Sequence, residues 1–199
     1  MAATDKRASH EVPDVVVVDT CVLMSNVVRC LLLDLARHAC IALAWSPVIG
    51  DEWRRNAARI WSVSPAAMQH HWEALQQEFP DADQGDIGSF KEGLVYSDRK
   101  DWHVVAAGRA ALARGAGRTV AILTRNIKDF NRSELRRLGL SLFDPDQFLV
   151  ACLRQFPDQM PGLIERVPVA CTTARHSGEP LDVILKRERL FRLNRLCAS

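Results

Sequence analysis

The chain predicts an α/β protein built on a parallel sheet, and three observations point there. Two apolar runs rich in β-branched residues, Val15-Val16-Val17-Val18 and Thr119-Val120-Ala121-Ile122-Leu123-Thr124, lack polar alternation, as strands covered on both faces require. Segments with apolar residues at helical spacing stand between such runs, and strands alternating with helices pair in parallel. Asp19 follows the first run directly, at the carboxyl end of its strand, where open parallel sheets bind ligands.

Taken in order, residues 1–13 read as a flexible arm ending at Pro13, before the first strand. Residues 26–39 carry leucines and Val28 at helical spacing, and residues 41–45 form a short apolar run that reads as the second strand. Ser46-Pro47 opens a helix to about residue 60, with serine as N-cap and proline in the first turn; Ser64-Pro65 repeats the signal for a helix that stops before Pro80. A short strand is expected near residues 94–96. Residues 98–114 read as a helix closed by Gly115, 119–124 as a strand, 133–138 as a short helix, 140–143 as a fifth strand and 145–156 as a helix. Proline and glycine make 157–180 read as a loose connection, and 181–196 as one basic amphipathic helix outside the core. The organisation expected is an arm at 1–13, a domain at 14–150 and a helical extension at 151–199.

Composition bounds the function classes. At 199 residues, 48% hydrophobic and 25% charged, the chain has the makeup of an ordinary soluble domain. A net charge of +2 is too mild to argue for a nucleic-acid partner, so charge placement has to decide. The six cysteines form no C-x-x-C pair and no zinc spacing, and free thiols are expected. Residues 1–12 lack the apolar segment of a signal peptide, and no run approaches the ~20 residues that span a bilayer. A cytoplasmic protein without membrane association is expected.

The acids carry the chemistry. Glu52, Asp98 with Asp101, and Asp129 join Asp19 in following or flanking hydrophobic segments, and carboxylates gathered on one sheet edge suit a hard divalent cation. Each has a plainer role open to it. Asp19 fits a helix cap, Glu52 a surface pair with Arg55 or Asn56, Asp98 and Asp101 the positive end of a helix dipole, and Asn126 and Asp129 a turn. His103 reads as locally bonded. Arg54, Arg55 and Arg59 suit a phosphate backbone or a solvated helix face, as do Arg132, Arg136 and Arg137. Trp53, Trp72 and Trp102 suit base stacking or, more commonly, core packing.

The order VVVVDTCVL, SPVIGDEWRRN, DRKDWHVVAAG and ILTRNIKDF resembles the PIN domain family of metal-dependent ribonucleases, in particular its bacterial VapC toxin-like group. The resemblance spans about residues 14–150. It implies a three-layer α/β/α sandwich with a parallel sheet of about five strands. It carries the family's acids onto Asp19, Glu52, Asp101 and Asp129, with Asp98 as a further metal contributor; Lys100 stands where the family often has an acid. It implies Mg²⁺ or Mn²⁺, with Asp19 and Asp101 as direct ligands, Glu52 and Asp129 binding metal or orienting water, and Thr20, Thr124 and Asn126 supporting them. It further implies cleavage of single-stranded or structured RNA to 5′-phosphate and 3′-hydroxyl ends, a homodimer and an antitoxin partner. A housekeeping RNA-processing nuclease and a non-catalytic RNA-binding PIN fold are the alternatives. A haloacid dehalogenase-type phosphatase needs a second Asp where Cys21 stands, and a dinucleotide-binding fold needs glycines that 20–24 lack.

Overall fold

A computed structural model describes residues 11–170 and 178–198. Four parallel strands form one sheet in the order β2-β1-β3-β4. They are β1 (Val15–Val18), β2 (Ala42–Ala44), β3 (Val120–Leu123) and β4 (Leu140–Phe143). Every residue of β1 and β3 is buried, so both sheet faces are covered, as uninterrupted apolar strands demand. The protein is an α/β fold, and its layering is consistent with a three-layer sandwich.

The helices are α1 (Thr20–Leu23), α2 (Asn26–Arg37), α3 (Pro47–Trp61), α4 (Pro65–Glu78), α5 (Trp102–Arg114), α6 (Arg132–Arg137), α7 (Pro145–Gln155), α8 (Met160–Glu165), α9 (Val167–Ala170), α10 (Leu181–Arg187) and α11 (Phe191–Cys197). The two Ser-Pro starts work as read. Ser46 Oγ accepts from the Ile49 N–H at 3.4 Å and Ser64 Oγ from the Ala67 N–H at 3.2 Å, each satisfying a donor that the first turn leaves open. Trp45, Trp53 and Trp72 pack ring against ring beneath α3 and α4, with centroids 5.4 and 6.0 Å apart. Gly50 permits this: a Cβ there would stand 2.2 Å from the Trp72 ring. Trp53 and Trp72 are therefore core residues, and Trp102 is half-buried with its indole N–H on the Ser97 carbonyl.

Four expectations are corrected. The sheet has four strands rather than about five, because 94–96 is not a strand. Its backbone N–H groups are drawn to the Glu134 carboxylate instead of a neighbouring strand. Beyond β2, a single bridge between Trp45 and Asp83 is all that extends the pairing among the described residues. The segment 157–180 is not simply loose: α8 and α9 lie within it, with Met160, Leu163, Ile164 and Val167 buried. The expected helix over 181–196 is two helices, broken where Arg189 takes a left-handed φ of 58°. These helices do not stand outside the core, since Ile184, Leu185, Leu190 and Leu193 are fully buried in it. Residues 1–10 of the expected arm lie outside the described residues, as does Cys171. Val12 is buried and its N–H donates to Gln155 Oε1 at 3.0 Å. The helix α7 runs across the expected boundary at residue 150.

Candidate metal centre

Strand order locates the site. The chain leaves β1 toward β2 on one side, and β3 lies on the other. The crevice at the carboxyl ends of β1 and β3 is thus the topological switch point, where such sheets receive ligands. Asp19 ends β1 there. Its N–H donates to the Leu123 carbonyl at 3.1 Å, pinning it beside β3. Although Asp19 caps α1 by position, its side chain makes no capping bond. Instead Oδ2 accepts from Thr124 Oγ at 2.6 Å and from the Cys21 thiol at 3.1 Å. Asp19 is only 4% exposed. Buried and oriented by a neighbouring strand, it is no ordinary cap.

The other acids arrive from three further segments. Glu52 lies on α3 but does not pair with Arg55 or Asn56. Its Oε2 accepts from Thr20 Oγ1 at 3.1 Å and lies 3.3 Å from His103 Nε2. Asp98 and Asp101 bracket a 3-10 turn leading into α5. The Asp98 carboxylate caps that turn, accepting from the Lys100 N–H at 3.0 Å, so here the plainer role holds for one oxygen. Asp101 makes no capping bond. Asp129 closes a turn after β3, and its carbonyl accepts from the Asp98 N–H at 2.7 Å, which ties the two acidic loops together. Asn126 acts through its backbone: its N–H donates to Thr124 Oγ1 and its carbonyl accepts from Asp129.

Electrostatics report the same convergence. The Asp101 carboxyl is pushed up to about 6 by burial, then by the charges of Asp19 and Asp129, with Asp98 adding to them and His103 opposing. The Cys21 thiol is pushed up to about 12, first by burial and then by Asp19. Among the described residues, no three His, Cys, Asp or Glu side chains converge closely enough to hold one ion as they stand. The donor set, oxygen-rich and acidic, fits a hard divalent cation in kind.

Several functional residues escaped the sequence reading. Glu134 is 2% exposed and accepts from the N–H groups of Val95, Tyr96 and Ser97 at 2.8, 3.1 and 2.8 Å. Burial alone would raise its carboxyl, but these donors outweigh that and hold it down to about 2. Glu134 thereby seats the loop that delivers Asp98. Arg125 donates to the Glu188 carbonyl at 2.9 Å, and Ser25 Oγ to Glu188 Oε2 at 2.6 Å, so the turn between α10 and α11 walls one side of the acid edge. No sequence pattern joins residues so distant.

The expected RNA contacts divide. Arg54 is turned toward α4, bonded to Gln69 and stacked 5.9 Å from the Trp72 ring. Arg55 is exposed and pairs with Asp51 at 3.2 Å, and Arg59 is exposed. All three line a groove of about 600 Å³ between α3 and α4. A slightly larger cleft, about 660 Å³, opens at the amino edge of the sheet beside Val15 and Arg118, away from the acids. Site chemistry, not cleft size, favours the acid edge. No helix among the described residues is long and apolar enough to cross a membrane. Compared with known proteins, the chain matches no family model, no curated protein and no solved structure.

Proposed function

We propose that the chain is a metal-dependent ribonuclease of the PIN type, hydrolysing phosphodiester bonds at the acid edge. The observation that carries this reading is that five acids lie along one edge of a parallel sheet at its switch point, with Asp101 within electrostatic reach of Asp19, Asp129 and Asp98. Five carboxylates from four segments, one of them nearly buried, are hard to account for as caps and surface pairs alone. Their common chemistry is to bind a hard cation.

Asp19 and Asp101 would hold the ion, with Asp98 and Asp129 completing its acidic surroundings. Bound Mg²⁺ or Mn²⁺ would supply Lewis-acid activation of water and offset charge on the phosphorus centre. The residues of the chain do the rest. Thr124 fixes the Asp19 carboxylate by donating to it, and Thr20 does the same for Glu52. Asp129, outside the direct ligand pair, would orient the attacking water; as the water oxygen bonds to phosphorus the bond to the 3′-oxygen breaks, and the proton the water gives up to solvent is matched by one the departing 3′-oxygen takes from it. Arg55 and Arg59 offer guanidinium groups to the RNA backbone along the α3 groove.

Asp19→Asn should abolish Mg²⁺- or Mn²⁺-dependent cleavage of single-stranded RNA while leaving the fold intact by circular dichroism. Undiminished cleavage by that variant would overturn the mechanism. The further reading as a cytoplasmic toxin with an antitoxin partner and a homodimeric state rests on the resemblance. Growth arrest on expression of the wild type, absent with Asp19→Asn, is the result it requires.

A further inference from the structure

His103 is the second residue of α5, is 9% exposed, and its Nε2 is one of two buried side-chain polar atoms among the described residues with no hydrogen-bond partner. Its other ring nitrogen, Nδ1, is 2.7 Å from the Lys100 carbonyl. A carbonyl oxygen only accepts, so Nδ1 carries the proton and donates it. In that tautomer Nε2 presents a lone pair, and 3.3 Å in front of it stands Oε2 of Glu52. Two electron-rich atoms so close repel each other unless positive charge lies between them.

The spacing suits an ion. Two donors bound to one divalent cation at about 2.0–2.2 Å stand roughly 3.0–3.4 Å apart for bond angles between octahedral and tetrahedral. Metal-binding histidines hold their free ring N–H on a carbonyl or carboxylate, which fixes the ring and its tautomer. His103 has that bond already, and Thr20 steadies Glu52 from the other side. We propose that His103 Nε2 and Glu52 Oε2 form a nitrogen–oxygen chelating pair for a divalent transition-metal ion at the acid edge. The inference rests on the metal-site reading above and deepens it. An imidazole donor makes the site prefer Mn²⁺, Co²⁺ or Zn²⁺ over Mg²⁺, because imidazole suits transition metals while all-oxygen sites suit magnesium.

The test uses the full chain loaded with Mn²⁺, and pulsed electron paramagnetic resonance to detect ¹⁴N coupled to the ion. Wild type should show coupling to a coordinated imidazole, and His103→Gln and His103→Asn should lose it with melting temperature recorded alongside. In calorimetric titrations the variants should bind Mn²⁺, Co²⁺ and Zn²⁺ at least tenfold more weakly, with Mg²⁺ affinity changed less than threefold. Bound Mn²⁺ without ¹⁴N coupling in the wild type would overturn the proposal, and that spectrum needs no variant to fold. So would coupling that persists in the variants, or equal weakening for all four ions, the pattern expected if His103 only pairs with Glu52 as an imidazolium. Those outcomes leave the acid-site reading standing, provided Asp19→Asn still releases the ion. Failure of the wild type to bind any of the four ions would overturn both.

Discussion

Asp101 shows how one residue links charge to stability. Its folded-state value of about 6 lies above the ordinary 3.8, so the folded chain holds this proton more tightly than the unfolded chain does. The stabilisation is fully present below about pH 4 and is lost as pH rises through 6. Asp101→Asn removes that loss. In metal-free buffer the variant should be more stable than wild type near neutral pH, by about 1 kcal/mol after discounting for solvent screening. The gap should close by about pH 4, and urea melts across that range with a chelator present check it. A gap independent of pH would sink the account. At this scale the sequence was half legible. The five acids could be named because each stands at the end of an apolar segment. The groups that orient them could not. Thr124 meets Asp19 across 105 residues and Glu134 reaches Ser97 across 37, and neither separation leaves a mark in local pattern.

Among the elements, α3, α4 and β4 follow directly from local signals: Ser-Pro starts, helical spacing and an apolar run. The C-terminal helices do not. Their apolar stripe was readable, but its cover was not, because that cover comes from α7, a distant element. Asp146 on α7 accepts from the N–H groups of Arg192 and Leu193, both at 2.9 Å, and so caps α11 from another helix. Sequence logic assigns caps to the residue just before a helix, which here is Leu190, a residue with no acceptor side chain. Asp146→Ala should destabilise the protein by about 1–3 kcal/mol, since it leaves the buried Leu193 donor and the half-buried Arg192 donor without a charged acceptor. Chemical denaturation measures it, and a change under a few tenths of a kcal/mol would show that solvent satisfies those donors. The basic residues of this region are largely matched, Lys186 to Asp182, Arg187 to Glu179 and Arg192 to Asp144. That pairing weakens any role of the region as a binding face for RNA.

For the whole molecule, the fold class was legible because β-branched runs and helical spacing are short-range signals that sum. The number of strands was not. Whether an extended segment joins a sheet depends on what competes for its N–H groups, and at 95–97 a single buried carboxylate wins. The core joins regions that the sequence separates: β1, α5 and the C-terminal helices belong to one contiguous cluster. Removing residues after Val167 should therefore lower the stability of the remainder by several kcal/mol, since about 1.5–3 kcal/mol accompanies burial of each large apolar side chain. Calorimetry should find one cooperative transition in the full chain and a lower one in the shortened form. Two separate transitions in the full chain would mean that the C-terminal helices are an independent unit.

The carboxylate of Glu188 meets Ser25 and Arg125, synthesised 163 and 63 residues before it. On the ribosome the sheet and its acids can assemble long before that wall arrives. The order of translation therefore sets the order in which the edge is finished. A chain stalled short of Glu188 carries every proposed metal ligand, yet leaves Arg125 at the end of β3 without the acceptor that anchors it. Fragments of the protein made by stalled synthesis would thus differ from the finished chain in the rigidity of this edge rather than in its list of acids.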